Sequence, residues 1–415
     1  MPGLRDVSIE DLVKDGAILE IQDGNHGERH PKSTDYVDDG IPFVMANSLT
    51  EGIVDLKGAS KIPEQLSDTL RIGFARTGDV LLTHKGTIGN TAVVGSIDPY
   101  PYIMLTPQVT YYRTDSTKLL NRYLYYAFRD PVFQRTMTSL AAQSTRPYIG
   151  ITAQRRLRIK VHPRDVQARI VSKITGYDEL IENNRRRMQL LEQSARLLYK
   201  EWFVHLRFPG HEHVKVVDGV PKGWERLPFE QVCDSIGGGT PSTAASEYWD
   251  GDITWVTPSD VTKSGSLYLL DAEKKITEAG LRNSSAKMLP PDAILMTSRA
   301  SIGFFAIANR SVCTNQGFIA VVPKVEHSRS FLLFHLMSRV EEFRSRASGS
   351  TFKELSKGKF RELSVIWPGR SIYGEFEDHT APILAQIQSL AIMNAKLVQA
   401  RDLLLPHLMS GEIEV

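Results

Sequence analysis

Cysteine is scarce, with only Cys233 and Cys313 in 415 residues. Two thiols are too few for a disulfide framework, and their separation offers no metal-ligand spacing, so two idle thiols in a reducing cytoplasm are expected. No apolar run approaches the ~18 residues of a membrane helix. The opening MPGLRDVSIEDLV has no basic segment followed by an apolar one, so no secretory signal is expected. Charge of one sign is also missing. A net charge of +2 neither demands nor excludes a polyanionic partner, because charge can be segregated onto one face.

The usual catalytic boxes are absent too. Gly237-Gly-Gly-Thr-Pro-Ser-Thr243 lacks the Gly-Lys-Ser/Thr that completes a phosphate-binding loop, and reads as a turn. Ile88-Gly89 and Ile302-Gly303 follow strand-like runs without forming a dinucleotide fingerprint. His211-Glu-His213 has no third ligand at a supporting spacing and reads as solvated surface, so no metal is expected. There is no Gly-x-Ser-x-Gly elbow, no His-Glu-x-x-His and no Asn-Pro-Pro-Tyr-like tetrad. The chain reads as a binder and not as an enzyme.

What is present begins with Val166–Phe203. Apolar residues recur there at gaps of four and three: Ile170, Ile174, Tyr177, Ile181, Met188, Leu191, Ala195, Leu198 and Trp202, with Asn184 breaking the series. This is the seam of a helix packed lengthwise on another helix, and it would reach roughly 55–60 Å. The chain supplies a partner. Sliding the sequence by 206 residues, the separation of Ser144 from Ser350, also places Arg155 on Arg361, Leu157 on Leu363, Ile181 on Ile387 and Leu197-Leu198 on Leu403-Leu404. The seam recurs as Phe376, Ile383, Ile387, Leu390, Leu397, Leu404 and Leu408, broken at Asn394. Two copies of one unit, each ending in a long helix, are therefore expected.

Before the first helix, Gly40–Asn47, Asp79–Thr83, Thr91–Gly95 and Val109–Tyr112 read as strands separated by glycine-bearing turns, and Leu119–Thr138 reads as a helix. The second half repeats the plan through Asp252–Ser259, Ala293–Gly303, Thr314–Val321 and a helix over Phe331–Arg346. Its long helix is expected from about Tyr373 to Leu405. The helical parts align without gaps, whereas the rest aligns only as islands with different offsets. The expected fold class is α+β: two mixed domains over 1–162 and 207–368, with long helices over 163–206 and 369–415, in a pseudo-twofold internal repeat.

Tyr199-Lys-Glu-Trp-Phe203, then Phe208-Pro-Gly-His and Gly219-Val-Pro-Lys-Gly-Trp-Glu225, resemble the centre of a type I restriction–modification specificity subunit. The end, Arg401-Asp-Leu-Leu-Leu-Pro-His-Leu-Met-Ser-Gly-Glu-Ile413, is similar to that family's C-terminus, and the resemblance covers essentially the whole chain. It implies two target recognition domains, each reading half of a split double-stranded DNA sequence. It also implies an antiparallel coiled-coil pair of helices that sets the spacer and docks two methyltransferase subunits. S-adenosylmethionine would then sit in those partners, ATP and Mg in motor/nuclease subunits, and no cofactor in this chain. One departure is that the first domain opens with Asp23-Gly-Asn-His-Gly-Glu28 and the second with Gly237-Gly-Gly-Thr-Pro-Ser242.

Base readout needs loop donors and acceptors: Arg or Lys for guanine, Asn or Gln for adenine, and Ser or Thr for either. The candidates in the first domain are Asn47, Ser48, Lys85, Thr87, Gln108, Thr145 and Arg146. Their rough counterparts are Ser259, Asp260, Arg299, Ser301, Gln316, Thr351 and Lys353, with Lys85 and Arg299 the best single pair. Arg185-Arg186-Arg187, with Glu179, Glu182 and Glu192 nearby, reads as a solvated mixed-charge face. Asn184 and Asn394 are placed to set helix register. The expected interface between helices or with partners comprises those two amides together with Ile170, Ile174, Ile181, Met188, Leu191, Leu198, Trp202, Ile383, Ile387, Leu390, Leu397 and Leu404. The alternative reading is a two-headed protein-binding scaffold on a coiled-coil spacer.

Overall fold

The sheets form where the sequence is apolar on both faces of a strand. The computed structural model describes residues 3–27, 29–50, 52–142, 147–349 and 353–415, which fall into two compact units. The first unit comprises Met1–Glu179 with Val398–Val415, and the second comprises Leu180–Leu397.

In the first unit the central antiparallel sheet runs Ile18–Asp23, Val109–Thr114, Val80–Lys85, Thr87–Val93. Its side chains alternate between two cores. Val80, Leu82 and Tyr112 pack on helical residues such as Tyr123, Leu124 and Phe128, whereas Leu81, Ala92, Val109 and Tyr111 pack with Val44 and Leu105 of a second sheet. Burial on both faces explains the unbroken apolar run Val80-Leu-Leu. The second sheet runs Ser60–Ile62, Ile41–Val44, Ile103–Leu105, Phe74–Ala75, and its middle pair is parallel. Arg5–Ser8 pairs with Arg158–Val161.

The second unit repeats the order of the shared strands and differs at the sheet edges. Cys233–Gly237, Phe318–Pro323, Ile294–Thr297 and Phe305–Ala308 form the central sheet, with Tyr268–Leu269 added in parallel at its edge as a fifth strand. Lys274–Ile276, Trp249–Val256 and Cys313–Thr314 form the second, again with a parallel pair, and Glu225–Pro228 pairs with Ser364–Trp367. The repeat therefore extends through the heads, where aligned sequence showed only islands. Loops of different length change the offset between strands without changing their pairing.

Three helical expectations are corrected. Leu119–Thr138 is two helices, Asn121–Arg129 and Pro131–Ala142, because Pro131 cannot continue the first. Phe331–Arg346 likewise divides into Arg329–Ser338 and Val340–Arg346. The second long helix spans Arg370–Ser410, passing through Pro382 and Pro406. Each proline removes one helical hydrogen bond and crowds the carbonyl four residues before it, and packing of Phe376, Leu384, Leu405 and Leu408 carries the helix past them.

The first long helix spans Arg164–Tyr199 and closes in a wider turn over Lys200–Val204. In the first unit, Ile170 and Ile174 share a core with Leu405, Leu408 and Met409. In the second, Met188, Ala195, Tyr199 and Trp202 share one with Phe376, Leu384, Ile387 and Leu390. Within each unit the paired segments run in opposite directions. Ile181, Met188, Ile387 and Leu390 occupy the seam as read, with Leu191, Leu198, Ile383, Leu397 and Leu404 half-buried beside it. Leu384 and Leu405 hold the fully buried places that Ile383 and Leu404 were expected to fill.

The heads are fastened to these helices by buried polar groups. In the first unit the Gln167 amide accepts from the Leu120 N–H at 3.0 Å and donates to the Lys118 and His162 carbonyls. Tyr126 donates its hydroxyl to Asp178 at 2.7 Å, and Arg401 pairs with the same carboxylate at 2.8 Å. In the second, the Ser330 N–H donates to the buried Glu377 carboxylate at 2.8 Å. Tyr199 pairs with His335, whose imidazole is pushed down to about 3 by desolvation and by the nearby Arg339 cation, which keeps it neutral.

The two seam amides meet. Asn184 Nδ2 donates to Asn394 Oδ1 at 2.9 Å, and Asn394 Nδ2 donates to the Ile181 carbonyl at 3.0 Å, with the asparagines 4% and 8% exposed. Under the 206-residue repeat, Asn184 corresponds to Leu390 and Asn394 to Met188, so this polar layer has an apolar counterpart in the same seam. Asn184→Leu strands the Asn394 amide and should cost about 1–3 kcal/mol in urea unfolding. The double substitution Asn184→Leu with Asn394→Leu should cost less than either single change. Additive losses would show the pair to be uncoupled.

Candidate nucleic-acid interface

In the first head the hairpin formed by Val80–Lys85 and Thr87–Val93 ends at Lys85-Gly86-Thr87, where Gly86 has φ +77° and Lys85 lies opposite Thr87. Below the tip, Thr83 Oγ1 accepts from the Asn90 N–H at 2.9 Å. Main-chain bonds stitch the hairpin to loops on both sides. The His84 N–H donates to the Gln108 carbonyl at 2.9 Å, and the Ile149 N–H donates to the His84 carbonyl at 3.0 Å.

The second head builds the same object. Thr297 Oγ1 accepts from the Phe304 N–H at 2.9 Å. The Ser298 N–H donates to the Gly317 carbonyl at 2.8 Å, and the Leu355 N–H donates to the Ser298 carbonyl at 2.9 Å. Ala300 takes the left-handed conformation of Gly86, and Gly303 that of Gly89. One shift, the separation of Thr83 from Thr297, thus relates Thr83–Asn90 to Thr297–Phe304 residue by residue. Lys85 corresponds to Arg299 and Thr87 to Ser301, all four exposed. Arg299 lies 3.8 Å from the Glu354 carboxylate, and Lys85 is bridged through its backbone to Tyr148.

The remaining candidates divide. Asn47 and Ser259 are exposed on the short turns that follow matched strands. Their neighbours Ser48 and Asp260 are corrected to structural roles. The Ser48 hydroxyl is buried and accepts from the Met45 N–H. Asp260 accepts from the Thr257 N–H and hydroxyl and from the Glu273 N–H, so that both carboxylate oxygens are engaged. Gln108 is half-buried, and its side chain accepts from the Ala46 N–H at 3.4 Å. Its structural counterpart is Gly317 and not Gln316, which is exposed and accepts from the Thr240 hydroxyl. Lys353 is exposed, and its carbonyl holds the Ala300 N–H at 3.0 Å. Thr145, Arg146 and Thr351 lie outside the described residues.

Sequence reasoning missed Asn90 and Phe304, the exposed residues that close the two hairpin octets. The signal available was the spacing Thr-x-Lys-Gly-Thr-x-Gly-Asn against Thr-x-Arg-Ala-Ser-x-Gly-Phe. Asn47, Thr87, Asn90, Arg129 and Gln134 line a concavity of about 430 Å³ in the first head.

The differing openings after the first central strand conceal one shared requirement. A Cβ on Gly24 would lie 2.0 Å from the Thr106 carbonyl oxygen, and one on Gly238 would lie 2.1 Å from that of Thr314. Only glycine permits that approach of main chains. Beneath the tip, the first head is polar. Buried His84 lies against Tyr148, with ring centroids 5.5 Å apart and the rings tilted by 52°, and 3.6 Å from Asp23. Burial holds the His84 imidazole below its ordinary range, against the opposing pull of Asp23. The second head has Ser298 and Gly237 at these places.

None of these residues forms a metal centre. Among the described residues no three His, Cys, Asp or Glu side chains are grouped to hold an ion, and His211, Glu212 and His213 sit on an exposed turn. Cys233 and Cys313 are free and buried, and burial pushes both thiols up to about 12. Among the described residues no helix is long and apolar enough to cross a membrane.

The domain family described as "Type I restriction modification DNA specificity domain" matches residues 12–193 and 221–394. The MjaIX specificity subunit of Methanocaldococcus jannaschii is 37% identical over 151 residues, which cover 36% of this chain and 35% of that one. The HindI specificity subunit of Haemophilus influenzae is 25% identical over 341 residues, covering 67% of this chain and 73% of that one. In fold, the chain is similar to a type I S subunit from M. genitalium, with a TM-score of 0.54 at 14% identity over 98% of this chain and 96% of that one. The matched threonines give a test of the shared hairpin. Thr83→Val should weaken exchange protection of the Asn90 amide, and Thr297→Val that of Phe304, each by roughly 2- to 15-fold from loss of one hydrogen bond. Unchanged protection in either head would refute the equivalence.

Proposed function

This chain belongs to the type I restriction–modification DNA specificity family, and from that we propose that it is the non-catalytic subunit directing such a complex to a bipartite DNA sequence. Each head reads one half-site, and the helices between the heads set the number of base pairs separating the halves. The observation that carries this reading is the duplicated hairpin. One backbone recurs in two family-matched domains, with Lys85 and Thr87 exposed in one and Arg299 and Ser301 in the other. A cation and a hydroxyl on a stitched tip suit phosphate and base-edge contacts.

Two methyltransferase subunits would dock on the helices and bring S-adenosylmethionine. Motor/nuclease subunits would bring ATP and Mg, leaving this chain without a cofactor. Support for paired docking comes from Leu197 and Leu403, equivalent under the 206-residue repeat and 55% and 63% exposed. A large apolar side chain held in water at the same place in each repeat suits one contact per partner copy. Leu197→Asp or Leu403→Asp should each reduce the partner stoichiometry from two to one, read as complex mass by light scattering. Two bound copies in both variants would remove these leucines from the interface.

Co-expression with a methyltransferase subunit, followed by methylome sequencing, tests the function itself. The expected result is adenine methylation at one bipartite motif, absent when either protein is omitted. Methylation or cleavage by this chain alone would overturn the reading. An assembled complex lacking any bipartite motif would favour the protein-binding scaffold.

A further inference from the structure

The hairpin octets Thr83–Asn90 and Thr297–Phe304 share their internal hydrogen bond, their two left-handed residues and their stitches to neighbouring loops. A side chain at a given octet position therefore leaves the backbone at the same place in each head. Comparing positions isolates a single chemical difference. The threonines at the start are identical and buried, and His84 and Ser298 are buried beneath the tip. Lys85 and Arg299 are both cations, Gly86 and Ala300 both small, and Thr87 and Ser301 both hydroxyls. Ile88 matches Ile302, and Gly89 matches Gly303. Only the last position is both exposed and changed in kind, with a carboxamide at Asn90 and a phenyl ring at Phe304.

The surroundings change with it. In the first head Gln134 Nε2 donates to the Gly89 carbonyl at 2.9 Å, and the concavity about Asn90 is lined by Asn47, Thr87 and Arg129. In the second head Val340 occupies the space that Gln134 fills, as the contacts a Cβ would make at Gly303 and Gly89 show. Phe304 stands 43% exposed beside it. An amide in a polar concavity has been replaced by a ring beside an aliphatic neighbour. The internal N–H bond to the threonine does not explain the exchange, because it is made from both residues.

Resting on the DNA-reading function above, we infer that Asn90 and Phe304 are specificity-determining residues through which a common hairpin selects different bases in the two half-sites. The Asn90 carboxamide donates one N–H to the Leu49 carbonyl at 3.4 Å and keeps a second N–H and its oxygen, the donor and acceptor that pair with the N6 and N7 edge of adenine in the major groove. A phenyl ring offers neither and makes the apolar contact suited to the 5-methyl group of thymine. Lys85 and Arg299, alike in charge, do the work common to both heads.

The test uses the full chain with its methyltransferase partner and reads the methylome for wild type, Asn90→Phe and Phe304→Asn. Asn90→Phe should change or relax one position in one half-site, leaving the other half-site and the spacer intact. Phe304→Asn should do the same in the opposite half. Discrimination at the affected position should fall by roughly 5- to 150-fold, the worth of one base-edge contact. If a swap prevents assembly, Asn90→Ala and Phe304→Ser remove the contact with less disturbance and should relax the same position. Assembled variants that keep the wild-type motif at full discrimination would overturn this assignment while leaving the function standing. A wild-type complex without a bipartite motif would overturn both.

Discussion

Burying one sheet on both faces is the constraint from which the rest of each head follows. Val80, Leu82 and Tyr112 face the helical layer while Leu81, Val109 and Tyr111 face the second sheet, so the central strands have no side free to vary. The same holds for Ile294 and Met296 against Leu295 and Ala320. What can vary is where the strands emerge. There the main chain supplies its own restraints through a threonine hydroxyl, two residues of left-handed conformation and hydrogen bonds to flanking loops. The hairpin tips thus carry exposed side chains on a backbone whose matched bonds come from the main chain and a buried threonine.

That separation explains how much was legible in sequence. The helical seam could be read because a 3.5-residue period survives over many turns, and Ile181, Met188 and Ile387 lie where it put them. The repeat of the heads was only partly legible. Strand pairing is preserved, but loops of unequal length shift the offset, so Gln108 was matched to Gln316 when main-chain bonds match it to Gly317. Ser48 and Asp260 were misread for a different reason. A polar residue four positions after a strand end serves a helical cap as well as it serves a ligand, and nothing in composition separates the two. Asn90 was not singled out in sequence, and only its alignment with an exposed phenylalanine in the matched hairpin sets it apart.

The polar contacts between heads and helices follow one rule with different chemistry. Gln167 in the first unit and Glu377 in the second each satisfy the backbone at the start of a head helix from a position on a long helix. Such groups are nearly inaccessible to water, and leaving their partners unsatisfied is costly, so they fix orientation more strongly than apolar contact alone.

The asparagine pair has a consequence for a chain that is two copies of one unit. A duplicated element risks pairing with its own kind, since a helix and its copy begin with the same surface. Here the duplicates have diverged at one layer. Two first helices set together in the register of the native pair would oppose Asn184 to Met188 and bury an amide against a thioether, twice. Only the first helix with the second satisfies both amides in a single layer. One hydrogen bond therefore acts as a lock that distinguishes self from sibling, and makes the two halves of this protein obligate complements rather than interchangeable copies.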